Sequence, residues 1–158
     1  MIALAIILSG GWHGALRHAL ADLRFAWQSR QASGDIVVVA IDAQSIDRIG
    51  IWPWPRPLYA ELLRQFQKAG VQDIALDVDF STPSDASSDR NFGEALESAG
   101  GSVVLPSFQQ PRTDRSTLHV NRPLKQFSEH SWPALVNVEV GPDGLVRRYP
   151  FGEKLDGE

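Results

Sequence analysis

Between Gly50 and Tyr59 the chain reads GIWPWPRPLY, and every second residue from 53 to 57 is proline. Each proline removes a main-chain donor and holds φ near about −65°, so this stretch is neither a central strand nor a helix interior. It is a rigid, extended connector, and it sets how the elements on either side are joined. Trp52 and Trp54 place two of the largest side chains on the stiffest part of the backbone. Two outcomes fit that arrangement: the indoles plug the core beneath a loop, or they wall a small, mostly apolar pocket with a few placed polar groups.

The text around the connector alternates strand and helix patterns. Before it, DIVVVAID from Asp35 to Asp42 has six apolar residues between acids, the pattern of a central strand covered on both faces. Ser45 is placed to cap a short helix through Ile49, with Gly50 just beyond it. After the connector, Pro57 suits a first helical position, Leu58, Leu62, Phe66 and Ala69 share one face, and Gly70 stops the helix. From Asp73 to Phe80 the pattern changes to alternation: Ile74, Leu76, Val78 and Phe80 face one way, Ala75, Asp77 and Asp79 the other.

A polar loop, STPSDASSD, then leads to a helix expected from about Asn91 to Ser98, and SVVLP reads as a third strand. From Pro106 to Pro133 no period is sustained, which predicts a long loop. The alternation in VNVEV, the turn residues GPDG and the return LVRRYP predict a hairpin added to the sheet. The expected fold class is α/β: a layered sheet with parallel core strands joined by right-handed crossovers, flanking helices and a C-terminal antiparallel hairpin.

Length and composition narrow the function. The 158 residues suffice for one domain with a real core, and a net charge of −4 provides no footprint for a phosphate backbone, which excludes nucleic acid as a partner. Without cysteine there is no disulfide, thiolate metal site or cysteine nucleophile. The N-terminal MIALAIILSGGW is apolar and uncharged, but twelve helical residues reach about 18 Å against a hydrocarbon core of about 30 Å. No basic segment precedes it, so residues 1–12 read as the remnant of a transmembrane helix rather than a secretory signal. Leu16, Leu20, Leu23 and Trp27 follow as one stripe of an amphipathic helix.

Chemistry-bearing residues are few. Asp42, Asp77 and Asp79 stand where an open parallel sheet gathers its ligands, outside the carboxyl ends of strands. Converging there, they would hold a divalent cation for phosphate-ester hydrolysis; alternatively, each caps the turn that follows it. The four histidines are scattered, with no zinc-ligand spacing, and the chain has no Gly-x-Ser-x-Gly elbow, Gly-x-Gly-x-x-Gly or Walker loop. The residues supply no catalytic apparatus, metal site or cofactor site.

Taken together, the Ile-Asp-x-x-Ser turn from Ile41, Trp-Pro-Trp-Pro-Arg from Trp52, the strand end Asp-x-x-Phe from Asp77 and Asp-Gly-x-x-Arg-Arg from Asp143 resemble the type-two CHASE domain, over about residues 16 to 151. The resemblance implies a bacterial extracytoplasmic sensory domain, held between transmembrane helices at the inner membrane. It implies a cytoplasmic output outside this chain, either a nucleotide or diguanylate cyclase or a kinase. On that reading residues 13–152 are one sensory domain, with a juxtamembrane helix over 13–30 and an α/β core over 31–152, and 153–158 lead towards the next membrane segment. The expected ligand-binding set is Asp42, Ser45, Trp52, Trp54, Arg56, Asp77, Asp79 and Asn137, with Arg56 pinning the connector to Asp42 or Asp77. The ligand is a small molecule or a periplasmic partner. A metal-assisted hydrolase and a homodimerisation scaffold built on the helix stripe are the competing readings.

Overall fold

The computed structural model describes residues 12–28, 31–111 and 118–149. The expected membrane-helix remnant lies outside the described residues except for Trp12, as does the expected C-terminal tail. Among the described residues no helix is long and apolar enough to cross a membrane. The chain divides into two units, Met1–Asp42 and Ala43–Glu158.

In the first unit α1 (Trp12–Trp27) carries the amphipathic stripe. The expected central strand over 35–42 does not form: the segment belongs to no strand, and Ile36 to Val39 are between 60 and 86 % exposed. The β preference of valine and isoleucine expresses packing on a pleated, half-buried surface rather than a backbone preference. Without a paired neighbour the run forms no ladder.

The second unit is the α/β body. Its elements are α2 (Ala43–Ile49), α3 (Arg56–Lys68), β1 (Ile74–Ala75), α4 (Ala86–Ser98), β2 (Val103–Pro111), β3 (Leu118–Asn121), α5 (Lys125–Ser128), β4 (Trp132–Leu135), β5 (Glu139–Val140) and β6 (Val146–Arg148). β2 is central and parallel to both β1 and β4, in register Ile74 to Val103 and Val104 to Trp132. Beyond Ser107 it runs on antiparallel to β3, Phe108 opposite Asn121. Among its described residues the polar text from 106 to 133 therefore holds the end of β2, β3, the helical turn α5 and the start of β4, not one long loop. Polar side chains on a strand that is only half covered leave no hydrophobic period to read.

The predicted alternation from Ile74 to Phe80 is present: Ile74, Leu76 and Phe80 are buried, while Ala75, Asp77 and Asp79 are exposed. The buried three share the core with Tyr59 and Leu63 of α3, Phe92 and Leu96 of α4, Val103 and Leu105 of β2 and Phe127 of α5, all essentially inaccessible to solvent. α3 packs beside α4. Its buried face is Arg56, Tyr59, Ala60 and Leu63, while Leu58 and Ala69 are exposed and Leu62 and Phe66 half-buried. Tyr59 turns the helix away from the expected Leu58, Leu62, Phe66 and Ala69 face, because its ring packs 5.4 Å from Phe80 and 6.4 Å from Phe92. Aromatic contacts of this size outweigh a leucine stripe.

α4 starts five residues before its expected N-terminus because Asp85 is its N-cap, its carboxylate accepting the Ser88 amide at 2.9 Å and the Ser87 hydroxyl at 2.6 Å. Those bonds, from Ser87 first and then Ser88, hold the Asp85 carboxyl well below the usual carboxylate range. At the other end of the chain, Gly141 accepts the Gly144 amide and donates to the Leu145 carbonyl, both at 2.9 Å. Asp143 caps Leu145 and pairs with Arg147. This is the expected GPDG turn, with Gly144 at φ 79° where a side chain would be strained. The hairpin β5–β6 makes its own two-stranded sheet instead of extending the parallel one.

Candidate functional site

The connector ends where α3 begins, and Arg56 is the first residue of that helix. Pro55, at φ −59° and ψ 141°, delivers the chain in extended form, and the helix has no side-chain N-cap. The Arg56 side chain takes up another task, pointing into the body over the Phe80 ring at 4.6 Å and the Phe127 ring at 5.6 Å. Its guanidinium donates to the Thr82 carbonyl at 2.8 Å and, more weakly, to the Asp79 carbonyl at 3.4 Å. Its Nε lies 3.4 Å from the Asp89 carboxylate, an ion contact rather than an aligned hydrogen bond, and the two side chains are only 10 % and 7 % exposed.

The expected pairing of Arg56 with Asp42 or Asp77 is therefore replaced by Asp89, on the first turn of α4. Asp89 also accepts the Ser84 amide at 3.0 Å, so one buried carboxylate ties the connector to the loop after β1. Sequence reasoning missed it because STPSDASSD reads as a polar loop ahead of the helix, and only the fold brings residue 89 under residue 56.

The two indoles continue outward from this bolt. Trp54 is half-buried with its ring 6.1 Å from Tyr59, and Trp52 is 51 % exposed with its ring edge-on to Trp54 at 6.0 Å. Tyr59 touches Phe80, Phe80 stacks on Phe92 at 4.6 Å, and Phe92 meets Phe127 at 5.0 Å. A continuous path of rings thus runs from the solvent face at Trp52 to the centre of the core. The Trp54 indole N–H is buried with no hydrogen-bond partner among the described residues. The two readings of the connector are divided between its tryptophans: Trp54 packs towards the core, and Trp52 remains at the surface.

The remaining expected site residues scatter by role. Asp79 is exposed, and its carboxylate accepts the Ser81 amide at 2.8 Å, the turn-capping arrangement. Asp77 is exposed as well, two residues beyond the end of β1. Asp42 directly precedes α2, so Ser45 lies within that helix, half-buried, and is not its cap. Asn137 extends β4: its side-chain amide accepts from the Gln109 N–H at 2.6 Å and donates to the Gln109 carbonyl at 3.1 Å, imitating a ladder step after Val136 bonds Ser107. Among the described residues no group of three or more His, Asp or Glu side chains could hold a metal ion. The Arg56, Trp52 and Trp54 neighbourhood is what the structure assembles from the expected set.

A family model described as the CHASE2 domain matches residues 1–156. The chain belongs to that family. CHASE2 domains are extracytoplasmic sensory domains of signalling proteins, sensory rather than catalytic. No curated protein and no solved structure matches the chain. The matched span contains the first unit, nearly all of the second and the whole connector, so the stiff tryptophan segment and its buried Arg56–Asp89 bolt lie inside a CHASE2 domain.

Proposed function

We propose that this CHASE2 domain is the input of a bacterial transmembrane receptor. It binds a small ligand or a periplasmic partner at the Trp52 face of the connector and biases flanking transmembrane helices between two arrangements, acting on a cytoplasmic cyclase or kinase. The observation that supports the reading is the path of rings from a half-exposed Trp52 to Phe127. A surface ring on a proline-stiffened backbone moves little by itself, so a compound that displaces it must displace Trp54 and the packing beneath it. The buried Trp54 N–H supplies a donor to a ligand that opens this joint, and an unpaired buried donor gains by finding an acceptor. A ligand shifts such an equilibrium only by its differential affinity for the two states.

The test is a thermal-shift screen of amino acids, nucleotides, short carboxylates and sugars against the wild-type chain and Trp52→Ala. Binding to the folded state raises the melting temperature with the logarithm of ligand concentration over Kd, and a concentration of 100 Kd adds about 2.7 kcal/mol. The expected result is at least one compound that stabilises the wild type and fails on Trp52→Ala. Compounds that stabilise both chains equally place the site elsewhere and overturn the assignment. An alkaline phosphatase reporter fused after Glu158 tests the location, because the enzyme needs disulfides that form only outside the cytoplasm, and an expressed but inactive fusion would refute it.

A further inference from the structure

We propose that the ligand taken at the Trp52 face is uncharged and carries a hydrogen-bond-accepting carbonyl on a flat, apolar frame, the carbonyl oxygen receiving the Trp54 indole N–H and the Tyr59 hydroxyl. This ligand class rests on the binding face proposed above. Among the described residues, the buried polar side-chain atoms without a hydrogen-bond partner include Trp54 Nε1, Tyr59 Oη, Arg56 Nε and Asp89 Oδ1. The last two answer each other as an ion contact at 3.4 Å. At the connector that leaves the indole nitrogen and the phenol oxygen, on neighbouring rings whose centroids are 6.1 Å apart.

An indole nitrogen can only donate, and a tyrosine hydroxyl can donate or accept. The Trp54 main-chain amide acts on the Tyr59 oxygen without making an aligned bond, so the hydroxyl proton is what Tyr59 has left to offer. Both groups therefore require an acceptor. No main-chain N–H of Pro53, Pro55 or Pro57 competes for it, because proline has none. Charge excludes the alternatives. An ammonium group would meet two donors backed by the Arg56 guanidinium, which lies over the Phe80 ring that touches Tyr59. A carboxylate would find no spare cation, since Asp89 balances Arg56 and the Thr82 and Asp79 carbonyls take its N–H groups. The exposed carboxylate of Asp79, whose carbonyl Arg56 bonds, repels an anion further. The flat frame follows from the rings. Trp52 and Trp54 stand 6.0 Å apart with their planes 75° from parallel, so a planar group stacked on one presents its edge to the other.

Bicyclic probes of one shape separate these chemistries: indanone carries the carbonyl, indane lacks it, aminoindane is a cation and indane carboxylate an anion. Each is titrated into the isotope-labelled chain while the indole N–H signals are followed by nuclear magnetic resonance, with Trp52→Phe and Trp54→Phe assigning the two signals. Indanone should move the Trp54 indole proton downfield, as donation to an acceptor does, and bind roughly tenfold tighter than indane, the worth of about one hydrogen bond. Tyr59→Phe should lower the affinity for indanone several-fold and leave that for indane unchanged, which separates the lost hydroxyl from a disturbed fold. Tighter binding of the amine or the carboxylate, with the Trp52 and Trp54 signals shifting, overturns the ligand class and leaves the binding face standing. Equal affinity for indanone and indane, or an indanone affinity that Tyr59→Phe does not change, does the same. If no probe moves either indole signal, the binding face fails and the ligand class fails with it.

Discussion

Replacing Arg56 by alanine removes, in one step, the donor to Thr82 at 2.8 Å, the weaker donor to Asp79, the counter-ion of Asp89 and the cation over the Phe80 and Phe127 rings. What remains is a carboxylate 7 % exposed, held by a single amide from Ser84. Breaking a buried ion pair from one side costs about 3 to 5 kcal/mol, because the surviving charge stays desolvated. A domain of this size has a total stability of about 5 to 15 kcal/mol, so Arg56→Ala should remain folded but lose a large fraction of its margin. Asp89→Asn keeps an acceptor for Ser84 and leaves the guanidinium two carbonyls and two ring faces, so its cost should be smaller, about 1 to 3 kcal/mol. The double change Arg56→Met with Asp89→Leu should cost less than Arg56→Ala, since neither charge is left buried alone. Urea unfolding followed by tryptophan fluorescence measures all three. With a slope of about 2 kcal/mol per molar, Arg56→Ala should move the midpoint down by roughly 2 M. A midpoint within 0.5 M of wild type (~1 kcal/mol at that slope), or an Asp89→Asn variant less stable than Arg56→Ala, would refute the view that the guanidinium organises this junction.

Two further outcomes follow from the same packing. Phe92→Ala, at a fully buried ring in contact with Tyr59, Phe80 and Phe127, should cost about 3 to 5 kcal/mol in urea unfolding, whereas Trp52→Ala should cost under about 1 kcal/mol despite its larger side chain. Similar costs for both would mean that Trp52 is a core residue and not a surface one. Burial raises the Tyr59 phenol above its usual value of 10.0, opposed by the Arg56 charge and the Trp54 main-chain amide. The folded state thus keeps that proton longer than the unfolded chain does. The contribution to stability is whole below the unfolded value near pH 10 and is lost as pH rises through the folded one. Tyr59→Phe should remove this alkaline loss without a large penalty at neutral pH, because the buried hydroxyl forms no aligned hydrogen bond. An unchanged alkaline profile in unfolding experiments would count against it.

What could be read from the residues was what depends on neighbours in the chain. The alternation of Ile74 to Phe80, the proline-led start and glycine stop of α3, and the GPDG turn all rest on contacts within a few residues, and all are present. The α/β class followed from them. The features that were not legible depend on distant residues. Nothing near Asp89 indicates that it will be buried against a side chain 33 positions earlier, and Asn137 gives no local sign that its amide will serve as a strand rung for Gln109. The apolar run from Ile36 to Val39 shows the same limit from the other side: its strand pattern is strong, but a ladder needs a partner, and that choice is not local.

The connector joins these two kinds of information, which explains why the tryptophans sit where the backbone is stiffest. Prolines at 53, 55 and 57 make the approach to α3 rigid by local chemistry alone. Rigidity would have no effect on the body if the helix end were free to slide, and the non-local Arg56–Asp89 pair holds it in place. With both in force, Trp52 and Trp54 become fixed projections of the core. A buried ion pair is weak evidence for stability as such, because apolar replacements of similar volume are often as stable. Its retention at this joint fits a requirement for position: the guanidinium has one arrangement that serves Thr82, Asp79 and Asp89 together, and a leucine there would have many. If the double apolar variant of residues 56 and 89 unfolds as late as the wild type but holds Trp52 and Trp54 in broadened or multiple fluorescence lifetimes, the pair specifies the orientation of the indoles. Unchanged lifetimes would reduce it to one more contact in the core.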